Sequence, residues 1–182
     1  MSSRFFKTFL LFAAVWFAAI SHAAQGSTNV IAGTLKKVDA GAKTIAVGTA
    51  DGAVKTAEFT SKTTVQGLKG AAKGADLAEK EGGQLIVHTS GKTARSVEWL
   101  GDKTVHATEG TVEEGGKASK TIAVKTADGS RETFRVADRA VVDTGKRTAR
   151  YSALGAKKGE HVTVYYTEES GKKIAHVFRR IL

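Results

Sequence analysis

Lys43-Thr44-Ile45-Ala46-Val47-Gly48-Thr49-Ala50-Asp51-Gly52 returns as Lys120-Thr121-Ile122-Ala123-Val124-Lys125-Thr126-Ala127-Asp128-Gly129, 77 positions further on. The same offset carries Gly33-Thr34 onto Gly110-Thr111, Leu77 onto Leu154 and Val87 onto Val164, so the copy spans a whole folding unit and not one hairpin. Within each copy apolar and polar residues alternate over short runs rich in Val, Ile and Thr, the period of a strand with one buried face. Ile45 and Val47 therefore share a face, as do Ile122 and Val124. Asp51-Gly52 and Asp128-Gly129 read as tight hairpin turns, with glycine and aspartate tolerating positive φ.

Outward from this hairpin the two halves read alike. Strands are expected over 29–38, 44–49 and 54–60 in the first half, and over 105–113, 121–126 and 131–136 in the second. Gly33 and Gly110 fall inside strands, which marks a bulge or barrel corner where a side chain would meet a neighbouring backbone. Short runs around Leu77 (75–80) and Leu154 (151–156) read as single helical turns, ended by Gly82-Gly83 and by Gly159. Two closing strands follow in each half, 84–89 with 93–100 and 161–167 with 172–180, turning at Gly91 and Gly171. The expected architecture is all-β: two tandem small five-stranded OB-like barrels, each with a short helical turn. Closure also removes the edges an open five-stranded sheet would expose.

Arg4 and Lys7 precede an apolar run from Phe9 to Ile20, then Ser21-His22-Ala23. That is the three-part pattern of a secretory signal peptide cleaved near Ala23, the run being too short for a transmembrane helix of about 20 residues. The expected organisation is a leader at 1–23, a first barrel at 24–101 and a second at 102–182, with a periplasmic or extracellular location. There is no cysteine, so no disulfide and no lipid-attachment site, and each small barrel is held by packing alone.

The net charge of +10 falls to about +8 once Arg4 and Lys7 leave. From Lys146 onward nine basic residues face three acidic ones. Lys146, Arg147, Arg150, Lys157 and Lys158 flank the second helical turn and are the candidate contacts for an anionic partner. Three readings of this region are open: a solvated charged face, an anionic envelope component such as acidic glycan or lipid head groups, and nucleic acid stacked on Tyr151, Tyr165, Tyr166 and Phe178. An exported location argues against the third.

Nucleophilic catalysis needs a Ser or Cys beside a base and an orienting acid. No Gly-x-Ser-x-Gly elbow or His-Glu-x-x-His helix is present, and Asp51 and Asp128 have structural work in turns. The expectation is a protein that is not an enzyme, needs no cofactor, and acts as a binding or structural module of the cell envelope. The alternative is a periplasmic metal-binding protein. If the last hairpin pairs symmetrically about Glu169-Ser170, His161 and His176 share one face, about 5 to 8 Å apart, beside Glu160.

With Gly33, Lys43 to Gly52, Gly82-Gly83 and Leu85 to Gly91 in the first half, and Gly110, Lys120 to Gly129, Gly159 and Val162 to Gly171 in the second, the chain resembles a family of exported bacterial domains of unknown function. Those are small Gly-punctuated β-barrels found singly or in tandem behind a signal sequence. The resemblance implies fold and location and no catalytic residue.

Overall fold

A computed structural model of the chain describes residues 30–70 and 72–181; the leader expected at 1–23 lies outside them. The first half contains β1 (Val30–Asp39), β2 (Thr44–Gly48), β3 (Val54–Glu58), β4 (Thr64–Gln66), a 3-10 turn (Gly74–Lys80), β5 (Gln84–Ser90) and β6 (Thr93–Gly101). The second contains β7 (His106–Glu114), β8 (Thr121–Thr126), β9 (Arg131–Asp143), β10 (Thr148–Arg150), α1 (Tyr151–Leu154), β11 (His161–Glu169) and β12 (Lys172–Arg180).

Each half closes on itself. The first sheet runs β3-β2-β1-β5-β6 and shuts through parallel pairing of Glu58 with Thr93. The second runs β9-β8-β7-β11-β12 and shuts through parallel pairing of β9 with β12. With the helical turn between the third and fourth barrel strands, this is the OB-like order the repeat implies. Ile45, Val47 and Leu85 are fully buried in the first core, and Val124, Phe134 and Phe178 in the second. Ile122, the repeat partner of Ile45, is likewise buried.

Gly33 and Gly110 do the same job in both barrels. A Cβ on Gly33 would stand 2.1 Å from the Gly48 carbonyl oxygen, and one on Gly110 2.3 Å from that of Lys125. The first strand can cross so close to its neighbour only without a side chain.

The hairpin turns differ from expectation. Gly52 N–H donates to Thr49 O (2.9 Å) and Thr49 N–H to Ala53 O (2.8 Å), so the loop has three residues, a type I turn followed by glycine at φ 81°. Gly129, at φ 85°, repeats it. Aspartate does not take positive φ here. Asp128 instead accepts hydrogen bonds from Thr126 Oγ1 and from Ser130 N (3.0 Å) and Oγ (2.8 Å), which hold its carboxyl down at about 2. Asp51 accepts from Thr49 Oγ1 in the same way and is also lowered.

Two more corrections concern strands and caps. Each barrel carries an extra strand the alternation pattern did not mark: β4 lies parallel to β6, and β10 antiparallel to β9. The strand expected at 131–136 continues as β9 to Asp143, where the first half breaks into β3 and β4. α1 ends at Gly155, whose N–H donates to Tyr151 O (2.6 Å), and not at Gly159.

A third apolar cluster lies between the barrels. Val30, Ala32, Ile86 and Leu100 of the first pack against Val177 of the second, flanked by Val105, Val141 and Tyr165. These residues come from β1, β5, β6, β9, β11 and β12, with Val105 from the link between the barrels, and belong to neither barrel core. Lys103 Nζ adds an exposed ion pair to Glu169 (2.8 Å).

Candidate functional site: a cationic groove between the barrels

The docking of the two barrels leaves a groove of about 430 Å³, and the extra strands form its walls. Gln66 enters from β4; His88, Arg95 and Glu98 come from β5 and β6; Arg139 comes from β9; Lys146, Arg147 and Arg150 come from β10 and the turn before it. Five cationic side chains thus converge on one space with one carboxylate. Glu98, the one carboxylate of the lining, pairs with His176 and with none of the five. Arg139 is steered by a bond from its guanidinium to Gln66 Oε1 across the barrel junction (2.7 Å), and Arg95 makes a longer one to Ser90 Oγ (3.4 Å).

Two histidines stand at the groove's inner wall, His88 in its lining and His176 behind Glu98. His176 sits where β12 bulges, since the register against β11 and β9 slips between Ala175 and Val177. The bulge aims the ring at the first barrel, where Nδ1 lies 3.1 Å from Glu98 Oε1 while Nε2 lies 3.0 Å from Thr167 Oγ1. Burial would raise the Glu98 carboxyl, but the hydrogen bond and charge of His176, with His88 and Arg139, outweigh it and hold the group below its usual value. His88 stands beside this pair. The residue is half-buried, and among the described residues its Nδ1 has no hydrogen-bond partner. Burial pushes its imidazole below the ordinary 6.5; Glu98 and Asp143 pull it up, and Arg150 and His176 push it down.

The cluster expected from sequence is therefore divided. Lys146, Arg147 and Arg150 line the groove, whereas Lys157 and Lys158 lie outside it, in the turn leading to β11. Arg95, Arg139 and His88 complete the site and escaped the sequence reading, because only docking brings them beside β10.

The structure does not bring His161 and His176 together. Val162 pairs with Arg180, and Ile181 N–H donates to His161 O (3.0 Å), which leaves His161 at the far end of the hairpin from His176. The symmetric pairing about Glu169-Ser170 fails because the turn lies at Ser170-Gly171 and the bulge shifts the register further. His161 bonds Glu109 Oε1 (3.1 Å) and Thr111 Oγ1 (3.3 Å), and Glu160 is tied to Arg180 (3.1 Å). Among the described residues no group of three or more His, Cys, Asp or Glu side chains is placed to hold a metal ion.

The aromatic candidates are structural. Tyr151, Tyr166 and Phe178 are buried in the second core, and Tyr165 packs in the inter-barrel cluster, where burial raises its hydroxyl above the ordinary value. Among the described residues, no aromatic side chain lines the groove besides the imidazole of His88.

The fold and site together define a two-barrel β-protein with a cationic cleft at the barrel junction. No known family model matches the chain, and no curated protein matches it. Solved structures similar to part of it include Ag(I)CusF, at 13% identity and a TM-score of 0.33, covering 43% of this chain and 99% of that one. Apo-CusF from Escherichia coli matches at the same identity and score, covering 44% of this chain and 90% of that one. Among the described residues no helix is long and apolar enough to cross a membrane.

Proposed function

We propose that the chain is an exported, non-catalytic binding module of the cell envelope that takes an anionic ligand in the inter-barrel groove. The observation that carries the reading is the convergence of Arg95, Arg139, Lys146, Arg147 and Arg150 on one space whose single carboxylate, Glu98, is paired with His176. Like charges gathered at a concave surface repel one another and focus the field, and an anion entering the cleft relieves both. A solvated charged face would spread the same residues over convex surface. Export rests on the leader pattern of residues 1–23 and on the resemblance to exported small-barrel domains.

Reversing Lys146, Arg147 and Arg150 to glutamate should abolish retention on an acidic glycan resin, and raising salt to roughly physiological strength should weaken the wild type, since exposed charges are screened beyond about 8 Å. Retention unaffected by the three reversals, or none at low salt, would return these residues to solvated charge. The metal-binding alternative loses its His161–His176 pair. It predicts that zinc or copper at micromolar concentration raises the unfolding temperature, whereas anion binding predicts no change.

A further inference from the structure

We infer that the groove takes a phosphorylated polyol, a compact hydroxyl-rich body carrying a phosphate ester. This rests on the anion-binding reading and narrows it to one ligand chemistry. Four of the five cations are arginines, whose planar forks match the oxygens of phosphate in pairs. A carboxylate is filled by one or two such forks. A phosphate presents more oxygens over a wider arc and accepts from several forks at once.

The rest of the lining suits hydroxyls. Ser90, Ser96, Thr148 and the Gln66 amide offer neutral donors and acceptors, and Glu98 offers a carboxylate, which accepts from hydroxyls but repels a second phosphate. With no tyrosine, tryptophan or phenylalanine among the described residues of the lining, a nucleobase would lack a stacking partner there. The volume of about 430 Å³ lies toward the small end of ligand sites, the range of a monosaccharide phosphate.

His88 supplies an independent observation. Its buried Nδ1 has no partner among the described residues, yet the ring lines the groove, with Glu98, Asp143, Arg150 and His176 as its charged or titratable surroundings. An unpaired buried nitrogen is costly, and because the ring lines the groove a ligand bound there changes the surroundings of that nitrogen.

The test is calorimetric titration of the chain lacking residues 1–23 with glucose 6-phosphate, inorganic phosphate, glucuronate and glucose. Glucose 6-phosphate should bind about tenfold more tightly than inorganic phosphate or glucuronate, and glucose should not bind. Arg139→Gln and Arg150→Gln should each weaken glucose 6-phosphate by about tenfold or more while the circular dichroism spectrum and unfolding temperature stay as in the wild type. Saturation should shift the imidazole resonances of His88, a change that a merely structural histidine would not show. Equal binding of all three anions overturns the polyol inference and leaves the anionic reading standing; no binding of any anion overturns both.

Vesicles containing phosphatidylinositol distinguish the source. Retention competed by glucose 6-phosphate assigns the phosphate to a lipid head group, and absence of retention beside tight soluble binding assigns it to a free compound. Retention that glucose 6-phosphate does not compete places lipid contact outside the groove and overturns the inference.

Discussion

Two residue types carry the local logic of this chain, glycine and histidine. Gly110 must lack a side chain because a Cβ there would meet the Lys125 carbonyl at 2.3 Å, so Gly110→Ala should cost about 1–3 kcal/mol through forced backbone displacement. Gly129 has open space around its missing Cβ and φ 85°, so Gly129→Val should lose a similar amount from backbone strain alone, about 1–3 kcal/mol. Urea denaturation midpoints of both variants check this, and unchanged values would remove the glycine argument. His88 has a pH signature. Its folded value lies below 6.5, so as pH falls under 6.5 the unfolded chain takes up a proton that the native chain refuses. Its contribution is harmless above that pH and destabilising below it. The wild-type midpoint should therefore drop between pH 7 and 5, and His88→Asn should flatten the drop. Asp128, held at about 2, stays ionised throughout that range and does not confuse the measurement.

At the scale of elements, the extra strands separate this molecule from a plain pair of barrels. β4 is short and is secured by Thr63, which is 2 % exposed, donates from Oγ1 to Ala94 O (2.7 Å) and accepts from Thr60 N (2.9 Å). Thr63→Val keeps the shape and strands both backbone groups, so a loss of about 1–3 kcal/mol is expected, with the effect read from the same denaturation midpoint. A neutral outcome would show that β4 is held by its pairing with β6 alone. The continuous β9 shows the other solution: one strand of 13 residues serves the barrel at one end and supports β10 at the other. Turn chemistry marked the hairpins in the sequence. β4 and β10 span three residues each, too short for a period to register.

For the whole molecule, the decisive contact is the one between barrels. Ile86 is fully buried yet belongs to neither barrel core, so Ile86→Asp places a charge in the interface without opening a core. The wild type should unfold in one calorimetric transition, and the variant should show two separated transitions together with loss of ligand retention, because the groove exists only while the barrels are docked. A single transition at the wild-type temperature would show that the cluster around Ile86 does not couple them. The signal for this interface was present in retrospect: Leu85-Ile86-Val87 and Ile174 to Phe178 do not alternate, as strands buried on both faces do not. Read with the repeat alone, those runs pass for ordinary core strands.

The sequence by itself determined the duplication, the inward set led by Ile45 and Ile122, the paired glycines and the helical turns near Leu77 and Leu154. Each follows from short-range constraints: a period of two, a forbidden side chain, a turn geometry. Only the tertiary structure decided that Lys146, Arg147 and Arg150 face Arg95 and Arg139, and that Lys157 and Lys158 do not join them. It also decided that His176 turns from its expected partner His161 to Glu98 of the other barrel. The physical reason is the same in each case. A bulge moves a side chain from one surroundings to another by a single residue of register, and the docking of two closed barrels unites residues whose separation along the chain carries no period at all.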